Sequence, residues 1–327
     1  MSWLVTGGAG YIGAHVVASM VTAEMDVVIV DDLSTGDSSR VATGVPVVNV
    51  SLLDQAAVRQ IFTAYNITGV IHLAAKKRVD ESLRQPSVYF RENVEALRIL
   101  LDECARAGVR NFLFSSSAAV YGNPGSTVVD EDVMCLPTTP YGQTKLAGEW
   151  LVHGVGAACG MRTTALRYFN VAGAASPGLA DTYLANLVPI VLDAVMRGRP
   201  ARIFGDDYPT ADGTCVRDYI HVADVADAHI AAAQALENGD LSSGRALNIG
   251  TGRGVSVREV VEVAMSITGS DVAPVVEPRR AGDSPAVVAA VERAHRELQW
   301  KAVRTLDDMI ASAWEACLRV PDRVLTS

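Results

Sequence analysis

Tyr141-Gly-Gln-Thr-Lys145 sets a phenol and an ammonium four residues apart, directly after Pro140. Positions i and i+4 share one face of a helix, so the two groups can point into one cleft. Pro140 suits a first helical turn, where its missing N–H costs nothing. A free tyrosine titrates near ~10 and is a poor base at neutral pH, but adjacent positive charge favours the phenolate. The pair therefore reads as acid–base chemistry on a hydroxyl; the plain alternative is a surface Tyr and Lys. Only four lysines occur in the chain (Lys76, Lys77, Lys145 and Lys301), which gives each one weight. Ser115-Ser116-Ser117 follows a short apolar run, where one hydroxyl could bond a substrate oxygen and the phenol together. Taken alone, such a triplet is more often turn or capping chemistry.

A second constellation stands at the N-terminus. Thr6-Gly7-Gly8-Ala9-Gly10-Tyr11-Ile12-Gly13 lies between a β-branched run and a helix-period segment. Gly7 and Gly10 permit a tight turn whose amides approach a pyrophosphate, and Gly13 lets the helix pack on the strand. A lone G-x-G-x-x-G is weak, but here Asp31, followed by Asp32, ends the second strand. A carboxylate there accepts from a ribose 2′-hydroxyl and repels a 2′-phosphate, so NAD is the expected cofactor rather than NADP.

The elements that must position these groups follow from periodicity. Residues 2–6, 27–31, 45–50, 70–74, 111–115 and 163–169 read as buried strands. Residues 11–22, 54–65, 88–107 and 141–159 carry helix-period apolar positions. The alternation predicts an α/β chain, a Rossmann-type doubly wound parallel sheet. Beyond Phe169, Gly and Pro loosen the pattern, as expected of a smaller, discontinuous C-terminal substrate domain. The reading is residues 1–169 for cofactor, with 219–250 returning to that sheet, and 170–218 with 251–327 for substrate.

Composition narrows the classes. The 327 residues are 49% hydrophobic and 20% charged, as in an ordinary globular protein, and the net charge of −9 argues against nucleic acid as a partner. No apolar run approaches the ~20 residues of a membrane span, and the N-terminus reads as a strand rather than a signal peptide. Five dispersed cysteines suggest reduced thiols, hence a cytoplasmic protein. The six histidines show no metal-ligand spacing, so no metal is expected.

Together the glycine turn, the serine triplet and Y-x-x-x-K resemble the extended short-chain dehydrogenase/reductase superfamily. Phe112-Leu-Phe-Ser-Ser-Ser-Ala-Ala-Val-Tyr121-Gly122 and Leu166-Arg-Tyr-Phe-Asn170 narrow this to its nucleotide-sugar epimerases. The stretch from Ile203 to Val222, with Arg217-Asp218-Tyr219, and Arg279-Arg280-Ala-Gly-Asp283 resemble the UDP-galactose 4-epimerase family. The resemblance spans nearly the whole chain. It implies Ser117, Tyr141 and Lys145 as catalytic residues, with Lys77, Asn93 and Tyr168 around the nicotinamide. It further implies Lys77, Ser117, Asn170, Asn186, Arg217, Arg280, Asp283 and Val287 around a UDP-hexose, and a homodimer pairing helices 88–107 and 141–159. Ser51 stands where such families often carry an Asp for the adenine amino group.

The implied reaction inverts C4 by hydride transfer to bound NAD and return to the opposite face of a 4-keto sugar. Val287, where an aromatic would narrow the sugar pocket, could also admit UDP-N-acetylhexosamines. Two alternatives stand beside this reading. A dehydratase or decarboxylase on the same scaffold is one, although Ala118 and Ala119 occupy the places where a dehydratase needs an acid–base pair. A non-catalytic NAD-binding sensor is the other; such a protein could dispense with Tyr141 and Lys145.

Overall fold

The computed structural model describes residues 2–181, 183–280 and 282–319. Seven parallel strands form the main sheet. Edge to edge they are Arg245–Ile249, Arg162–Tyr168, Asn111–Ser117, Ile67–His72, Ser2–Thr6, Val27–Asp31 and Val47–Asn49. The order reverses between Ser2–Thr6 and Ile67–His72, and ligands of such sheets bind outside the carboxyl ends at that switch.

Side chains alternate between two cores because each strand is buried on both faces. Trp3, Val5, Ile29, Ile71 and Leu166 point to one face, covered by helices Tyr11–Thr22 and Val222–Asn238. Leu4, Val28, Val70, Phe112 and Phe114 point to the other, against Gln55–Ala64, Ala96–Ala107 and Pro140–Cys159. Each fully buried Leu, Ile or Phe contributes about 1.5–3 kcal/mol, so these faces hold the sheet.

Several elements differ from the pattern read in the sequence: the strand expected over 45–50 is Val47–Asn49, and residues 219–221, expected on the main sheet, pair in a smaller one. The fourth strand is Ile67–His72 rather than 70–74; it pairs with Ser2–Thr6 from Ile67 to His72, with Gly69 lying close on Trp3. The segment expected as one helix over 88–107 contains a π-turn, Arg91–Glu95, between Pro86–Phe90 and Ala96–Ala107.

A smaller sheet joins Gly254–Ser256, Val216–His221, Ala286–Ala289 and Val128–Val129, with Asn170–Ala172 also paired to Val216–His221. Helices Leu187–Met196, Val257–Thr268 and Leu306–Arg319 share its own core. Val216–His221 runs directly into Val222–Asn238 on the main sheet. The Asp218 carboxylate accepts from the amides of Thr251 (2.8 Å), Gly252 (2.9 Å) and Ala289 (3.2 Å). One buried acid thus pins the smaller sheet to the turn after the main sheet's edge strand.

Candidate active site

Thr139 caps the helix Pro140–Cys159, its Oγ1 accepting from the Gly142 amide at 3.2 Å, and Pro140 fills the first turn. Tyr141 and Lys145 then face the end of Asn111–Ser117. The buried Lys145 Nζ donates to the Ser115 carbonyl at 2.9 Å and lies 5.9 Å from the Tyr141 ring centroid. The Ser117 side chain neighbours the Tyr141 phenol and favours its ionised form. These three predicted residues meet.

Their charges differ from the simplest expectation. Burial pushes the Tyr141 phenol above its ordinary value, and the neighbouring Ser117 only partly offsets this. Lys145 therefore does not by itself make the phenol acidic. Burial also brings Lys145 down to about 8, with Glu149 acting in the opposite direction. The lysine remains largely protonated at pH 7.

The three serines do separate work. Ser117 Oγ also accepts from the Ala119 amide at 3.2 Å, capping the turn Ala118–Tyr121, so capping and contact with the phenol coincide in one hydroxyl. Ser116 Oγ donates to the Glu149 carboxylate. Ser115 offers its carbonyl to Lys145, and its side chain, near the Tyr168 phenol, eases that group's ionisation. That phenol lies 2.6 Å from His229 Nε2, while His229 Nδ1 is 2.8 Å from the Val225 carbonyl. Asn93, on the π-turn, accepts from the Lys76 amide at 2.8 Å and donates to the Lys76 carbonyl and Thr144 Oγ1, both at 3.0 Å. It ties the loop carrying Lys77 to the helix of Tyr141.

At the glycine turn the fit to a dinucleotide is steric. Gly7 has φ +72°, and a Cβ on it would meet the Ala74 amide nitrogen at 2.7 Å. A Cβ on Gly13 would fall 2.0 Å from the Gly7 carbonyl oxygen. Gly10, at the N-cap of Tyr11–Thr22, brings no side chain to cover the first-turn amides. Ile12 packs against the core, and the Tyr11 hydroxyl donates to the Gly173 carbonyl at 2.6 Å. Asp31 accepts from the amides of Ala9 and Leu33, each at 2.9 Å, and burial raises its carboxyl above the ordinary value. Asp32 is exposed and accepts from Ser34. A carboxylate anchored beside an open helix N-terminus suits a ribose next to a pyrophosphate. Ser51 Oγ is engaged by the Leu53 amide at 3.2 Å.

The remaining predicted residues lie on several elements. Lys77 Nζ lies 5.9 Å from the Tyr11 ring and 5.8 Å from Tyr183. Asn170 pairs in register with Tyr219, and Asn186 Nδ2 donates to Asp181 at 3.0 Å at the head of Leu187–Met196. Arg217 and Val287 are register partners in neighbouring parallel strands. The Arg217 guanidinium donates to the carbonyls of Val216 and Ser284, both at 2.8 Å, and lies 3.9 Å from Asp283. Arg280 reaches over the Phe204 ring at 3.8 Å. A groove of about 620 Å3 lies elsewhere, beside Trp150, His153 and Arg245, and none of Ser117, Tyr141 or Lys145 lines it.

Sequence reading passed over Glu149, Arg167 and Asp218. The signal for Glu149 was present: Tyr141, Lys145 and Glu149 are spaced i, i+4, i+8 on one helix.

The glycine turn, Asp31 and the Tyr141–Lys145 helix all lie within residues 3–250, the span matched by the model of the NAD dependent epimerase/dehydratase family. The chain belongs to this family. It is 41% identical over 322 residues to a UDP-glucose 4-epimerase of Azospirillum brasilense, covering 96% of this chain and 92% of that protein. Among solved structures it is similar to a UDP-glucose-4-epimerase from Stenotrophomonas maltophila with bound NAD and formylated UDP-arabinopyranose. That match has TM-score 0.93 and 38% identity over 98% of this chain and 99% of the other. It is also similar to a UDP-Glc/GlcNAc 4-epimerase from Campylobacter jejuni, at TM-score 0.87 and 32% identity over 97% and 99%. The Rossmann-type fold and the nucleotide-sugar epimerase resemblance read from the motifs are borne out. Among the described residues of this epimerase/dehydratase family member, no helix is long and apolar enough to cross a membrane.

Proposed function

We propose that the chain is a UDP-glucose 4-epimerase, an isomerase that interconverts UDP-glucose and UDP-galactose with NAD as its cofactor. The observation that carries this is the meeting of Ser117, Tyr141 and Lys145 at the carboxyl end of a sheet whose first strand ends in a dinucleotide turn. Similarity to UDP-glucose 4-epimerases over nearly the whole chain supports it.

Gly7, Gly10, Tyr11, Ile12, Gly13, Asp31 and Asp32 would hold the dinucleotide, with Lys77, Asn93 and Tyr168 near its nicotinamide. When bound, NAD supplies a reversible hydride acceptor for the sugar C4. Tyr141 takes the 4-hydroxyl proton and later returns it to the oxygen of the inverted centre, with Ser117 bridging phenol and sugar oxygen. Burial keeps the phenol protonated in the protein alone, so Tyr141 ionises only when further positive charge joins Lys145 in the cleft.

Arg217 and Arg280 suit the diphosphate, because guanidinium forks match its oxygens. Asn170, Asn186, Lys77 and Asp283 would complete the UDP-sugar site. The nucleotide must be gripped and the hexose left free to turn, which assigns the grip to residues 170–218 and 251–327. Residues 1–169 with 219–250 serve the cofactor. Val287, a small side chain beside Arg217, supports acceptance of UDP-N-acetylhexosamines as well. Exposed Phe90 and Trp150, within residues 88–107 and 141–159, support a homodimer that pairs these segments. Five free cysteines support a cytoplasmic setting.

The test is incubation of the purified protein with UDP-galactose and no added cofactor, followed by product analysis. UDP-glucose is expected. No conversion, with or without added NAD, would overturn the proposal.

A further inference from the structure

Behind the three catalytic side chains lies a buried ion pair that the reaction as described does not use. Glu149 and Arg167 meet through two parallel contacts, Nε to Oε1 at 2.9 Å and Nη2 to Oε2 at 2.7 Å. Both side chains are at most 10% exposed. Arg167 is further held by the Tyr121 hydroxyl at 2.9 Å and the Glu131 carbonyl at 3.4 Å. Glu149 also receives the hydroxyl of Ser116, the residue between the lysine's anchor Ser115 and the catalytic Ser117. Its carboxylate therefore touches the serine strand, while its backbone sits one helical turn beyond Lys145.

We infer that Glu149 is a positioning residue of the catalytic helix, braced by Ser116 and Arg167 so that a fixed carboxylate one helical turn from Lys145 favours its ammonium form. A buried ammonium without a counter-charge tends to lose its proton. The titratable and charged groups around Lys145 are Tyr141 and Glu149 on its own helix, His72 on the strand Ile67–His72, and Arg167 behind Glu149. His72 is held neutral, its value lowered to about 3 by burial and by Lys145 itself. Tyr141 is uncharged in the protein alone, and Arg167 is positive, so Glu149 is the anion in this set. The bidentate geometry matters because Arg167 fixes the orientation of the carboxylate, although both side chains line the groove beside Trp150. An ordinary structural salt bridge would brace the helix equally at every pH; this one makes the defect of a neutral variant grow with pH.

The inference rests on the proposed role of Lys145, but its main test does not need turnover. With four lysines in the chain, carbon-13 labelling at lysine Cε gives few resonances, and Lys145→Met identifies the one that matters. In Glu149→Gln the Lys145 midpoint is expected to fall by about one pH unit or more. Glu149→Asp, which keeps the charge one methylene further back, should show a smaller fall in the same direction and serves if the Gln variant does not fold. In both, kcat on UDP-galactose should decline progressively above pH 7 relative to wild type while KM moves less than about threefold. A Lys145 midpoint unchanged in the folded variants overturns the inference. Absence of epimerisation in the wild type strikes the proposed function instead and leaves the titration to decide this point.

Discussion

The Lys145 ammonium donates to the Ser115 carbonyl at 2.9 Å, so the strand that delivers Ser117 also anchors the lysine one turn beyond Tyr141. Lys145→Met keeps an unbranched side chain, one atom shorter, but removes both the charge and that bond. Turnover of UDP-galactose should fall by roughly 10²–10⁴-fold, the range for losing acid–base assistance. Tyr141→Phe should behave alike, with NAD still released on denaturing the purified protein. Near-normal kcat in either variant would remove that residue from the mechanism.

Gly13→Ala tests the dinucleotide turn. The added methyl would lie 2.0 Å from the Gly7 oxygen and 2.8 Å from the Gly8 Cα, both backbone atoms that cannot step aside. The variant should purify with little or no NAD and lose the rise in melting temperature that NAD gives the wild type. A full complement of NAD in Gly13→Ala would contradict the assignment.

Val287→Tyr tests sugar selection beside Arg217. The ratio of kcat/KM for UDP-N-acetylgalactosamine over that for UDP-galactose should fall about tenfold or more, through the first substrate. Equal changes for both sugars would exclude position 287 as a determinant of breadth.

Stability should fall on mild acidification. His15, His221 and His229 are lowered by burial to about 4 and His72 to about 3. All four are therefore neutral in the native protein, whereas the unfolded chain protonates them below about 6.5. Because the unfolded state binds the extra protons, their contribution is fully present above that pH and is lost as pH falls toward 4. Four such groups give a slope of roughly 5 kcal/mol per pH unit, which the buried carboxyls of Asp31, Asp218 and Glu131 work to flatten. Urea midpoints at pH 7.5 and 5.5 measure it. Equal midpoints would mean these rings are not held neutral.

The alternation of strands and helices was legible because strands buried on both faces leave unbroken apolar runs. The first two strands and the helix Tyr11–Thr22 have the bounds their patterns suggest. Tyr141 and Lys145 were legible because one helix carries both. The π-turn at Arg91–Glu95 was not, since what it serves is Asn93 reaching Lys76 and Thr144, 17 and 51 residues away. The same holds for Ser116 and Glu149, 33 residues apart, and for Glu149 and Arg167, 18 apart. Periodicity records which face of an element is buried; it carries no record of which distant polar group completes a pair.

Tyr11 and His15 give the first helix a second duty. The Tyr11 hydroxyl holds the Gly173 carbonyl, and His15 Nε2 accepts from the Ala175 amide at 3.0 Å. The helix whose amino end faces the dinucleotide turn is therefore also the mooring of the loop that leads toward Asn186. On the proposed site assignment, a change that loosens one ligand's berth tugs on the other's, so cofactor retention and sugar accommodation would drift together as such a protein diverges.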